Sequence, residues 1–466
     1  MKQFLGVAMV ATIFFYAASV FAADFKIEGD FRVRGVYSDN LNDANDAEDD
    51  QQSFSDGRFR LKTTISAGLT SAVVIVDFTN SFNDPDNQFC PAPKAGVPPT
   101  TPVSGGSSFC GSGNFRFGTA SLGGSYNIVG VRSAYLKFDF NPLKVVFGRK
   151  QFMLGHGLIL DDTVDSIAGR FNLGPATATF VDGKLFDSNN GTTSGIRGRT
   201  GSDANLYILD LGMNHGEEHS IGFFAAYLND RDNQLIVPGF GLGFPGNIGD
   251  TTITAIGLTA DGSIGPINGR FEIDFLDGTI EGVGPTDIDL EGLNVLVGMG
   301  LPVGPANIDL SFLWTSGEDS ADPERNINGI SGNFVLGNIL VNDDLNSDRD
   351  GQCASVAGGR LGSGGRSCIG GLGITAVKLS AGFDPAETCH TEVALIWAQT
   401  TEDPAVGADS DLGVEVDLNH LHKLDENLSV AVNLGYLASG DAWNTLGTAG
   451  VTDDQLKGVV SVNYQF

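Results

Sequence analysis

Cysteine is scarce in this chain, with five in 466 residues, and bases are few: 27 Lys and Arg against 57 Asp and Glu. A formal net charge of −30 leaves no basic face for phosphates, which excludes a nucleic-acid partner. Long apolar runs are missing after the first 23 residues. That excludes a polytopic helical membrane protein, whose spans need about 20 apolar residues each. Disorder is excluded too, because 41% of the residues are hydrophobic. There is no phosphate loop, no His-Glu-x-x-His and no Gly-x-Ser-x-Gly, so no enzyme constellation stands out. No Cys-x-x-Cys-His occurs, so no c-type haem is held covalently.

What the chain has in excess is glycine, at 64, and phenylalanine, at 31. Mean hydropathy is +0.02. A barrel in a membrane produces that balance, because its apolar residues are spread singly along alternating strands. Residues 1–22 read as a secretory signal: Lys2 is the positive region, Phe4 to Tyr16 the apolar core, and Val20-Phe21-Ala22 the cleavage site. A membrane anchor is the alternative, but Asp24 and a strand-like segment follow at once. Residues 23–466 are then one outer-membrane domain.

Strands are legible from period-two alternation. In Phe25–Tyr37, Phe25, Ile27, Phe31, Val33 and Tyr37 share one face, while Lys26, Glu28, Asp30, Arg32 and Arg34 share the other. The segment 58–67 repeats the pattern. Eighteen such strands can be placed, many of about ten residues or more, the length that crosses a bilayer at a tilt. Tight turns such as Asn141-Pro142 and Pro302–Pro305 alternate with long segments at 38–53, 80–124, 230–250 and 317–371. The fold class expected is therefore all-β: a closed antiparallel transmembrane barrel with short periplasmic turns and long extracellular loops. The last strand, 456–466, carries Val460, Val462, Tyr464 and Phe466 on one face. A final Phe on such a strand looks like the outer-membrane assembly signal.

Several blocks resemble the alginate-export family of outer-membrane barrels: Val146–Gln151, Gly157–Asp162, Gly413–Leu418, Leu424–Ser429 and Ala438–Ala442. The resemblance covers about an eighth of the chain and implies eighteen strands, with passive passage of an anionic solute through a basic lumen.

Alternation assigns the lumen residues. Arg32, Arg34, Arg58, Arg60, Lys62, Lys137 and Arg170 point inward from the first six strands, with either Arg149 or Lys150 joining them. Glu272, Asp274, Asp289, Asp309, Glu392, Glu415 and Asp417 point inward from later strands. Two walls of opposite charge would set a transverse field across a water-filled pore; alternatively, the charges pair within the wall. The half-acidic lumen departs from the basic one that the resemblance implies, so no solute is named.

Asp344, Asn346, Asp348 and Asp350, with Gly351, are spaced like a calcium loop but lack the closing Glu, so Ca²⁺ is a candidate cofactor there. Cys90 with Cys110, and Cys353 with Cys368, would each close one long loop by a disulfide, as suits an exported protein. Cys389 is left over on an outward, lipid-facing position. His156 near Asp161 and Asp162 imitates a catalytic dyad, although the segment reads as a rim loop. Three functions follow: a porin for small or polymeric hydrophilic solutes, anions among the candidates; a sheath enclosing partner cytochromes of an electron-transfer conduit; and, least favoured, an outer-membrane enzyme.

Overall fold

A computed structural model of the chain describes residues 23–41, 51–82, 127–187, 203–216, 218–230, 250–281, 287–317, 325–327, 329–330, 334–341, 372–403, 409–443 and 453–466. The proposed signal at 1–22, the calcium-like loop at Asp344–Asp350 and the four cysteines expected to form disulfides, Cys90, Cys110, Cys353 and Cys368, lie outside them.

The strands are β1 (Asp24–Asp39), β2 (Gln52–Ala67), β3 (Thr70–Phe82), β4 (Asn127–Asp139), β5 (Leu143–Leu154), β6 (Leu160–Leu173) and β7 (Ala176–Asp187). Then come β8 (Asp203–His215), β9 (His219–Asp230), β10 (Thr251–Ile264), β11 (Ile267–Ile280), β12 (Ile288–Val303) and β13 (Ala306–Thr315). The last are β14 (Arg325–Asn326), β15 (Ile374–Ala386), β16 (Cys389–Thr400), β17 (Asp411–Lys423), β18 (Leu428–Ser439) and β19 (Gln455–Gln465). Each long strand pairs antiparallel with its sequence neighbours. The exception, β14, is two residues long and lies parallel to β12. Eighteen strands therefore form the wall, as the alternation predicts.

Closure comes from β1 pairing with β19, from Asp30 opposite Gln465 to Asp39 opposite Leu456. The register extends one step further. Gly29 and Phe466 exchange both backbone hydrogen bonds at 3.0 Å. The Phe466 ring stacks on Tyr464 and Phe59. It lies where a side chain at Gly29 would be, since a Cβ there would sit 2.5 Å from the ring. Glycine is thus required by a close approach across the seam.

The outward face is apolar and aromatic: Phe31, Phe180, Tyr207, Phe275, Trp397, Tyr436 and Tyr464 are all exposed. Those side chains meet lipid in a membrane barrel. One inward assignment changes here, and the alternative left open between Arg149 and Lys150 is resolved. Asp289 is exposed beside the fully buried, inward Leu290, so it faces outward. Lys150, not Arg149, joins the inward set. It sits opposite the buried Val164, while Arg149 pairs with Asp165 at 2.6 Å on the other face.

A larger side chain at Gly29 should strain the seam by about 1–3 kcal/mol, the usual cost of overpacking. Gly29→Leu is expected to lower the temperature at which the folded barrel converts to the unfolded band in heat-modifiability gels. An unchanged conversion temperature would show that the Phe466 ring moves aside freely.

Candidate functional site: a basic wall facing two inward-folded segments

The first wall of the lumen is built by β1 to β6. Arg32 and Arg34 of β1 share the inward face with Arg58, Arg60 and Lys62 of β2, because Arg32 stands directly opposite Arg58. Five cations on one patch repel each other, and acids on the same face partly neutralise them. Arg34 donates to Asp56 in a bidentate pair (Nε to Oδ1, 2.9 Å) with only 2% of the arginine exposed. Arg58 donates to Asp30 at 2.8 Å, and Arg60 makes a bidentate pair with Asp77 at 2.6 and 2.7 Å. Lys62 lies 2.9 Å from Glu28. Acids on the same wall therefore pair with four of the five cations.

Some cations make no ion pair. Among the described residues, Arg32, Lys137, Lys150 and Arg170 have no carboxylate within ion-pair distance. The Arg32 Nε has no hydrogen-bond partner. Lys150, Lys137 and Arg170 are close enough to influence one another, and Lys150 rests its ammonium 5.3 Å from the Phe152 ring centroid. Arg132 adds another cation beside Asp77, at 4.0 Å. It is the extra residue at a bulge between β3 and β4. A bulge shifts alternation by one, which hides Arg132 from a period-two reading. Asp77 was legible as the one charge in an apolar strand.

The far wall differs from the expected acidic face, because the chain folds into the lumen in two places. The first is the β5–β6 hairpin. β4 pairs with β5 only as far as Arg149. Beyond that point the hairpin leaves the wall. Its tip is buried: Leu154, Ile159 and Leu160 pack with Leu206, Leu228, Ile253 and Leu276 on the inner face of β8 to β11, and Leu158 joins the cluster of Leu296 and Leu313. That inner face is apolar because the hairpin covers it. The tip that reads as a rim loop is thus an internal brace.

His156 anchors it. Its backbone N–H and Nδ1 both lie 2.6 Å from Glu272 Oε2, and Nε2 lies 3.0 Å from Asp261 Oδ1. Gly155 permits the approach: its φ is +61°, and a Cβ there would overlap the Glu272 carboxyl. The His156–Asp161/Asp162 dyad is not formed, because the imidazole spends both nitrogens on β10 and β11.

The second segment is 334–341. Upstream in sequence, the Ile330 N–H donates to Ile159 O of the hairpin at 2.9 Å. Glu415 then receives three backbone N–H groups: Asn338 (2.8 Å) and Ile339 (2.7 Å) on Oε1, and Leu340 (2.7 Å) on Oε2. Asp417 Oδ2 accepts from Asn338 N–H at 3.1 Å. Leu336, Ile339, Leu340 and Val341 are buried against Leu313, Ile396 and Trp443. The apolar run from Phe334 to Val341, inside an otherwise polar loop, is the sequence signal for this insertion.

Every inward acid expected from alternation is inward, Asp289 excepted, but four are spent on the inserts or buried beneath them. Glu272, Asp274, Glu415 and Asp417 have 0–1% of their surface exposed. Glu392 is paired with Lys378 at 3.2 Å, and Asp309 is exposed in the lumen. Burial of these four removes most of the expected acidic face, leaving Asp309, Glu392 and the half-exposed Asp261 as lumen acids on the later strands.

This architecture is shared with solved structures. OpdK of Pseudomonas aeruginosa with vanillate aligns at TM-score 0.53 and 12% identity, over 95% of this chain and 98% of that one. OccK2 (OpdF) of the same organism, in complex with glucuronate, aligns at TM-score 0.53 and 12% identity, over 95% and 96%. A BenF-like porin from Pseudomonas fluorescens aligns at TM-score 0.53 and 12% identity, over 95% and 98%. No family model matches the chain, and no curated protein matches it. The fold is that of outer-membrane porins. None of these three is an alginate exporter; they and the sequence resemblance agree on the porin-type barrel.

Two outcomes follow from the anchors. Glu415→Ala would orphan three backbone donors, at about 1–3 kcal/mol each. The 334–341 segment should then become cleavable by added protease, and channel conductance should rise. His156 lies outside the strands, and its pKa is raised, first by its hydrogen bond to Glu272 and then by Asp261, against desolvation. A raised folded pKa gives anchoring that is complete below the unbound value of about 6.5 and lost as pH rises through the folded one. Conductance noise from the hairpin should therefore increase with alkalinity in the wild type. His156→Gln should abolish that pH dependence.

Proposed function

We propose that the chain is an outer-membrane porin giving passive, water-filled passage to small hydrophilic solutes bearing a carboxylate or comparable anionic group. Residues 1–22 are its export signal in this reading. The observation that carries the proposal is the asymmetry of the lumen: Arg32, Lys137, Lys150 and Arg170 have no ion-pair partner among the described residues, while four of the opposing acids, Glu272, Asp274, Glu415 and Asp417, are buried under the inserts. A channel lined by one sign of charge with low-dielectric walls concentrates ions of the other sign. Transport of this kind needs no reacting group, and porins are channels, not enzymes. Vanillate and glucuronate, named with two of the similar barrels, are both carboxylates. The alginate-export-like blocks support the same solute class, since that resemblance also implies an anion.

The sheath for partner cytochromes is disfavoured by the inserts. The hairpin reaches from β5 and β6 to β10 and β11 through the interior. A barrel braced across its lumen has no clear bore for an enclosed protein.

The test is ion selectivity in planar bilayers. Arg32→Gln, Lys137→Gln and Arg170→Gln together should lower anion-over-cation permeability by up to about tenfold, the low end for charge-lined clefts. The loss should be larger at 0.01 M salt, where the Debye length is about 30 Å, than at 0.1 M, where it is about 10 Å. Arg34 is left in place because its pair with Asp56 is structural. Unchanged reversal potentials would refute the proposal.

A further inference from the structure

A feature of the outward face is unrelated to the lumen. β16 and β17 present an apolar belt to lipid, with Val393, Leu395, Trp397, Val414, Val416 and Leu418 exposed. At the short-turn rim the pattern breaks. Cys389 opens β16 directly after the turn, and His420 and His422 close β17. The ladder sets Cys389 opposite His422 and Thr391 opposite His420. Alternation within each strand therefore puts all three side chains on the outward face.

Their ligand atoms converge. The Cys389 Sγ lies 2.7 Å from His422 Nδ1. Sγ and one nitrogen of each histidine all lie within 4.8 Å of one another. The two imidazoles stack, with centroids 6.4 Å apart and planes 16° from parallel. All three residues are half-buried. Thr391 Oγ1 lies 2.9 Å from His420 Nδ1 and orients that ring. The backbone is held by Lys423 N–H donating to Thr388 O at 2.7 Å. The donors are thus fixed by a regular ladder, not carried on a mobile loop.

We propose that Cys389, His420 and His422 form a binding site for a divalent transition-metal ion of the zinc class, clamping β16 to β17 at the periplasmic rim. One thiolate and two imidazoles are a borderline-soft donor set that suits zinc and copper and not calcium or magnesium. Around a tetrahedral zinc, with Zn–S about 2.3 Å and Zn–N about 2.0–2.1 Å, sulfur and nitrogen stand about 3.5 Å apart. Cys389 Sγ and His422 Nδ1, at 2.7 Å, stand closer than that, so their side chains part slightly to admit the ion. Three protein ligands leave a fourth position for water or a periplasmic ligand. The location suits polar donors, because polar residues on the lipid face cost little near the interface and much more at the midplane. Binding releases the thiol proton and requires neutral imidazoles, so affinity rises with pH.

The test uses the full-length barrel, folded in detergent and kept reduced, titrated with Co²⁺ and then Zn²⁺. One Co²⁺ per chain should bind with a sulfur-to-cobalt charge-transfer band and the visible bands of tetrahedral cobalt, and Zn²⁺ should displace both. Cys389→Ser should abolish the charge-transfer band. His420→Gln and His422→Gln should each weaken binding at least about tenfold, whereas His219→Gln, at a different turn, should not. Heat-modifiability gels confirm that each variant is folded. A second readout needs no variant: Zn²⁺ should slow alkylation of the Cys389 peptide in the wild type, followed by mass spectrometry. Absence of the charge-transfer band, its persistence in Cys389→Ser, or unprotected alkylation at saturating Zn²⁺ would each overturn the proposal.

Discussion

A backbone inside a bilayer has no water to bond to, and every other feature of this molecule follows from how its amide groups are satisfied. In the wall they are satisfied by the neighbouring strand, which forces the sheet to close. The β1–β19 seam supplies that closure, and the Gly29–Phe466 exchange adds its last pair of bonds. Inside the barrel the same requirement returns. A segment that leaves the wall and enters the lumen exposes amide groups, and these need acceptors. Glu415 and Glu272 are those acceptors.

This ties structure to electrostatics. An inward carboxylate on a porin wall ordinarily repels anions. Here four candidates for that role, Glu272, Asp274, Glu415 and Asp417, are covered by the inserts. The acidic surplus of the sequence therefore says little about the pore. Much of it lies in the loops, and part of the rest is consumed by Arg34, Arg58, Arg60 and Lys62 within the first wall. An overall charge of −30 and a basic channel face are compatible because position, not sum, sets the local field.

The barrel was legible because period two survives wherever one face meets lipid. Phe25 to Tyr37 and Phe59 to Ala67 show it plainly. Legibility fails where that constraint lapses. Residues Leu160–Val164 lie in the hairpin that leaves the wall, so both of their faces contact protein and the start of β6 could not be separated from a loop. The bulge that carries Arg132 shifts parity. The pairing of His156 with Glu272 joins positions 116 apart in sequence and has no local signature. The convergence of Cys389 with His420 and His422 depends on the register of one strand pair, which alternation alone does not fix.

The central claim is that the lumen favours a carboxylate over a neutral molecule of the same shape. The most direct measurement is influx into liposomes carrying the purified wild-type barrel, comparing glucuronate with glucose at low ionic strength. The account predicts faster entry of glucuronate, with the advantage shrinking as salt is raised. Equal rates, or faster entry of glucose, would contradict it.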